Sequence, residues 1–197
     1  MSTEQFRTTH HPTEPVFVSR WSTRSLSGEP IPDSVLFSCF EAARWAPSGG
    51  NAQPWRFIYA KRESPHWDRL YPLLNEKNQE WAALASTLVL VLSRKTRDSP
   101  EGKRPLRSHS FDAGAAWSNF AHQASLLGWT TRAIGGFQYE RTRAALEIPD
   151  DYEIEIFIAL GKASDRAALS PDLQASDRPS SRLPVTELVC DGHFGFP

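Results

Sequence analysis

Two arginines four residues apart, Arg20 and Arg24, flank Ser22 in the stretch SRWSTRSLSGEPIP. Set on a helical turn, both guanidinium groups and the hydroxyl face one side. Such a face offers forked, charged donors to an anion, and guanidinium matches phosphate bidentately. An isolated R-x-x-x-R is more often a solvated basic turn. A second stretch, residues 41–59, reads EAARWAPSGGNAQPWRFIY. Pro47 and Pro54 border the polar loop Ser48-Gly49-Gly50-Asn51. Proline fixes the backbone at each end, while glycine permits positive φ and lets something approach the main chain closely. The loop is either shaped to hold a ligand or an ordinary helix-to-strand connection.

The other chemistries lack residues to carry them. There is no G-x-G-x-x-G, P-loop, H-E-x-x-H, C-x-x-C or G-x-S-x-G. His10, His11, His66, His109, His122 and His193 are scattered, without metal-ligand spacing. What remains is glycine-lined turns, clustered arginines and many aromatic residues, the parts that bind a cofactor bringing its own chemistry.

The elements that position these residues are read from periodicity. At 197 residues the chain is long enough to bury a real core. With 22 Lys and Arg against 23 Asp and Glu, a formal net charge of -1, no global field invites nucleic acid or a membrane surface. Seven Trp and eleven Phe point weakly to a flat ligand or a large interface. Two cysteines, Cys39 and Cys190, suit a reducing compartment. The polar N-terminus and the lack of any membrane-length apolar run make a cytoplasmic location the expectation.

In order, residues 1–17 read as a flexible arm. Asp33 caps a helix that ends at Pro47, with Leu36, Cys39, Phe40 and Ala43 on its buried face. A strand follows at 55–60, a helix at 64–74 and another at 75–85. Residues 86–93 are apolar on both faces, which places that strand in the middle of a covered sheet. Residues 94–109 are the least structured stretch. A long alanine-rich helix spans 111–127, with Gly128 as its stop. A short strand at 129–134 leads to the tight turn Gly135-Gly136-Phe137. A helix at 138–146, a strand at 153–160 and an extended tail from 162 complete the chain.

Taken together, SRWSTR, APSGGNAQPWRF, NQEW, DAGAAWSNFAHQASLLGW, AIGGF, EIFIALGK and SRLP resemble the FMN-dependent nitroreductase family in order and spacing. The resemblance implies an α+β fold, three layers as α/β/α around a central mixed, mainly antiparallel sheet. It implies one domain over 1–197, with the 162–197 tail contacting the partner of an intertwined homodimer. FMN would sit at the subunit interface, with NADH or NADPH as electron donor.

By that resemblance Arg20, Trp21, Ser22 and Arg24 form the flavin motif, in which Arg20 and Ser22 hold the phosphate end and Arg24, with Asn78, lies at the pyrimidine edge of the ring. Trp81 stands where some relatives carry a basic residue. Pro47, Ser48, Gly49, Asn51 and Gln53 form the loop contributed by the other subunit. Gly135 and Gly136 bring backbone amides to the ring, and Arg182 pairs with phosphate. A neighbouring lysine is replaced by Ser180; Lys162 and Arg178 are the basic residues left to substitute. No catalytic side chain is implied, because the flavin carries the chemistry. The implied activity is ping-pong reduction of nitroaromatics, quinones or related small aromatic acceptors. The alternatives are flavin storage or sensing without turnover, or a family member doing dehalogenation, enone reduction or flavin fragmentation.

Overall fold

The computed structural model describes residues 6–196, so the first five residues of the expected arm lie outside the described residues. The run TLVLVLSR forms β2 (Thr87–Arg94), buried on both faces over nearly its whole length. It lies between β1 (Trp55–Lys61) and β6 (Tyr152–Gly161), and β5 (Thr130–Ile134) pairs with the far side of β6. All three pairings are antiparallel.

Alternation along β2 builds two cores. Leu88, Leu90 and Leu92 enter one, with Trp67, Leu70, Leu74, Trp81 and Phe157. Val89 and Val91 enter the other, with Leu36, Cys39, Ala43, Ala116, Phe120 and Ile158. The first core is covered by α3 (Trp67–Leu70), α4 (Glu76–Ala82) and α6 (Tyr139–Ala145), and the second by α2 (Asp33–Arg44) and α5 (His109–Leu126). This is the expected α+β arrangement of three layers. Small side chains along α5 (Ala113, Ala116, Ala124) are fully or almost fully buried, which allows the helix to approach the sheet and α2 closely.

Several local expectations change. Asp33 is the first residue of α2 rather than its cap; Pro32 occupies the cap position, and the Asp33 carboxylate pairs with Lys61. The helix expected over 64–74 is short because Pro72 has no donor, and the chain tightens into a 3-10 turn at Tyr71–Leu73. Residues 94–109 are not structureless: β3 (Thr96–Ser99) and β4 (Gly102–Pro105) form a hairpin about Pro100-Glu101. Gly102, at φ 106, adopts a conformation that only glycine enters readily. A short helix, α1 (Pro15–Ser19), precedes the arginine motif, and the tail carries α7 (Pro171–Ser176).

Candidate functional site

Residues 20–26 are not a helical turn but an extended segment beside β5. Thr130 Oγ1 donates to the Trp21 carbonyl at 3.3 Å, Arg132 Nη1 donates to the Ser22 carbonyl, and Leu26 bridges Ala163. Arg20, Ser22 and Arg24 still share a face, because alternate residues of an extended chain point the same way. Thr23 between them and Ser25 after them are buried, while half-buried Trp21 also reaches the same cavity. Arg20 Nη1 donates to Ser22 Oγ at 3.3 Å.

The face lines a cavity of about 240 Å³ bordered by six arginines: Arg7, Arg20, Arg24, Arg132, Arg178 and Arg182. Its carboxylate, Asp177, is 1% exposed and already engaged: Oδ2 accepts the Thr23 hydroxyl at 2.6 Å and Oδ1 the Arg24 amide at 2.8 Å. Among the described residues none of the six guanidinium groups is in an ion pair. Burial, then the charge of Arg182, lowers the pKa of Arg20. Burial, then Arg182 and Arg20, does the same to Arg7. A corner that penalises its own cations is one that an anion relieves.

Arg7 donates to the carbonyls of Val18 at 2.6 Å, Arg20 at 2.7 Å and Ser180 at 3.1 Å, tying arm, motif and tail together.

Arg24 also borders a second cavity, of about 690 Å³, with Asn75, Asn78, Trp81 and Gln138 on its walls. Trp81 Nε1 donates to Asn78 Oδ1 at 3.3 Å, and Asn78 Nδ2 donates to the Gly136 carbonyl at 2.9 Å, so the amide is held from both sides. A Cβ at Gly136 would lie 2.5 Å from Asn78 Nδ2. The absence of a side chain there is required by this chain's own packing, whatever ligand approaches. A Cβ at Gly135 would meet nothing within 4 Å.

The loop after α2 uses the left-handed backbone that its glycines permit, and lies apart from both cavities. It makes a 3-10 turn at Gly49–Asn51, and Gly50 (φ 57), Asn51 (φ 54) and Gln53 (φ 46) are left-handed. Two of these are not glycine, a strained arrangement that surrounding bonds must maintain. Asp112 Oδ2, buried in α5, accepts the Gly49 amide at 3.1 Å and the Ser108 hydroxyl at 3.0 Å, and Ser48 Oγ accepts the Gln53 amide at 3.0 Å. Within the chain, then, Arg20, Trp21, Ser22, Arg24 and Arg182 gather at the smaller cavity, and Asn78 and Trp81 at the larger, with Gly136 against Asn78. Pro47, Ser48, Gly49, Asn51 and Gln53 do not join them.

Sequence reading missed Arg7, Arg132, Asp177 and Asp112. Only Arg132 had a local signal, a lone charge in the strand TTRAI. Of the two candidate basic residues, Arg178 lines the arginine cavity, whereas Lys162 Nζ lies 5.1 Å from the centre of the Trp129 ring.

Known proteins resemble the chain over most of its length. The structure superposes on an oxidoreductase crystallised with FMN at a TM-score of 0.94, with 42% identity over 97% of both chains. An NADH dehydrogenase of Thermus thermophilus is 25% identical, covering 87% of this chain and 92% of its own. Iodotyrosine deiodinase 1 of Sus scrofa is also 25% identical, over 85% of this chain and 65% of that protein. The model of the nitroreductase family matches residues 18–88 and 69–162, a span that holds the arginine motif, Asn78, Trp81, β5 and the glycine turn. The chain belongs to the nitroreductase family.

Proposed function

We propose that the protein is an FMN-dependent oxidoreductase that takes reducing equivalents from NADH or NADPH and reduces nitroaromatic, quinone or related acceptors. The observation that carries this reading is the arginine corner without ion pairs, which shares Arg24 with a larger cavity lined by fewer charged residues. A corner of about 240 Å³ suits a phosphate, and the adjoining 690 Å³ suits a flat ring system with polar edges. When bound, FMN would supply the two-electron redox chemistry between nicotinamide and acceptor.

The chain's own residues bind and orient. Arg20, Ser22 and Arg182 hold the phosphate, with Trp21 beside them. Arg24 places a fixed cation at the ring edge, and Asn78, locked by Trp81 and Gly136, presents an oriented amide there. Gly135 leaves open the space that a ring face needs. No side chain is required as acid or base.

A homodimer completes the site. Phe111 is 82% exposed, and the tail from 180 to 196 is exposed throughout, carrying Leu183, Leu188, Val189 and Phe194. Apolar surface on this scale is expected to be covered by a partner. The exposed residues 183–196 of the tail contact the partner, and the loop of Pro47, Ser48, Gly49, Asn51 and Gln53 packs on the partner's flavin. Free cysteines at 39 and 190 accord with a cytoplasmic setting. Among the described residues no helix is long and apolar enough to cross a membrane.

A second reading, reductive dehalogenation of a halogenated aromatic at the same site, is favoured by the likeness to iodotyrosine deiodinase 1.

The test is the visible spectrum of the purified protein, with heat-released flavin identified chromatographically, followed by NAD(P)H oxidation with a nitroaromatic, a quinone and a haloaromatic. Bound FMN with turnover of the first two is the expected result. A colourless protein that takes up no FMN overturns it, and bound FMN without turnover points to storage or sensing.

A further inference from the structure

Arg132 is the one charged residue of β5, flanked in sequence by Thr131, which is 1% exposed, and by Ala133. Its guanidinium reaches the Ser22 carbonyl and lies with Cζ 5.6 Å from the centre of the Trp81 ring. Both partners are neutral, so they fix the position of the cation without cancelling its charge. Arg132 lines the arginine cavity, while Trp81 is a wall of the larger one. The side chain therefore spans the boundary between them.

All six arginines line the one cavity, but only Arg24 and Arg132 also reach the larger one, Arg24 as a lining residue and Arg132 against its Trp81 wall. Arg7, Arg20 and Arg182 oppose one another at the phosphate corner. Arg132 instead has Arg24 as its strongest cationic neighbour, with Asp177 partly offsetting it. Arg24 is the residue that borders both cavities. A ligand charged only at its phosphate needs Arg7, Arg20 and Arg182 alone. Arg24, which also borders the larger cavity, and Arg132, set against its Trp81 wall, are placed for a ligand whose body also becomes negative, as the flavin ring does on two-electron reduction.

Building on the FMN reading above, we propose that Arg132, with Arg24, supplies fixed positive charge to the ring end of bound FMN rather than to its phosphate, and so favours the reduced cofactor. This assigns Arg132 to the tuning of the redox equilibrium, a role separate from holding the flavin. Its position in a strand, with both neutral partners belonging to packed elements, makes the charge preorganised.

The test compares wild-type holoprotein with Arg132→Met, Arg132→Gln and Arg132→Lys. Two quantities are read: the midpoint potential of bound FMN by equilibration with a reference dye, and affinities for FMN and riboflavin by fluorescence titration. The expected result is a fall of at least ten-fold in the reduction equilibrium in the Met and Gln variants, about 30 mV for a two-electron couple. The Lys variant recovers part of it, and the FMN-to-riboflavin preference stays at the wild-type ratio. Gln retains a donor for the Ser22 carbonyl, so it carries the test if Met compromises folding. An unchanged potential overturns the proposal, as does a collapsed FMN-to-riboflavin preference, which would make Arg132 a phosphate ligand. A wild-type protein that binds no flavin fails the FMN reading itself, separately from the role of Arg132.

Discussion

The Asp177 carboxylate accepts the backbone amide of Arg24 at 2.8 Å across 153 residues of sequence, and with its second oxygen the Thr23 hydroxyl at 2.6 Å. This joins the tail to the arginine motif. The main chain at 23–24 is thereby held from behind while the side chains of Arg20, Ser22 and Arg24 face the cavity.

Removing that carboxylate leaves a buried hydroxyl and a buried amide without a partner. Asp177→Ala is expected to destabilise the flavin-free protein by about 2–3 kcal/mol. For a domain of this size that lowers Tm by about 4–12 °C. FMN affinity falls too, because the motif loses its support. Thermal denaturation and flavin titration on the same variant check both, and an unaltered Tm would show that the clamp does not stabilise the fold.

Arg20 lies in the corner, partly buried, with Ser22 and Arg182. Arg20→Ala should cost about 1.5–3 kcal/mol of FMN binding, roughly 10- to 150-fold in Kd. Riboflavin, which lacks the phosphate, should bind both proteins alike. Equal losses for the two ligands would remove Arg20 from the phosphate.

The two glycines of the turn should behave differently. At Gly136 a methyl group displaces Asn78 Nδ2 from 2.5 Å, so Gly136→Ala is expected to lower the stability of the flavin-free protein by about 1–3 kcal/mol. At Gly135 the space is open, so Gly135→Ala should leave that stability unchanged and weaken only flavin binding. Tm values measured with and without FMN separate the two. A Gly135→Ala protein with full flavin affinity would show that the ring does not approach this residue.

Burial pushes the Cys39 thiol up to about 11 from an ordinary 9.0. The unfolded thiol ionises first as pH rises, so between about pH 9 and 11 the native state holds more protons and stability falls. The loss attributable to this group approaches about 3 kcal/mol at the upper end. Cys39→Ala should show a shallower decline than the parent over that window, compared by urea denaturation. In the native protein at neutral pH a thiol reagent should modify exposed Cys190 and spare Cys39.

Parts of this molecule were legible because burial writes itself into residue pattern. The near-continuous apolar run of β2 marks a central strand, and the alanine and aromatic spacing of α5 marks a helix packed closely against a neighbour. The hairpin at 96–105 was not legible: its residues are largely exposed, so no apolar alternation marks it. The R-x-S-x-R segment was right in consequence and wrong in conformation. Residues four apart share a face both in a helix and in an extended chain, so spacing cannot distinguish them. Only its lie beside β5, held there by Arg132 and Asp177, decided for the extended form. By itself the sequence determined the covered central strand and the closely packed long helix, because each is a local pattern, and left the arginine motif and the glycine loop with two readings each. The tertiary structure decided that arginines from the arm, the motif, β5 and the tail converge on one cavity, while the loop faces elsewhere. Such convergence depends on contacts between residues far apart in the chain, and no local pattern encodes it.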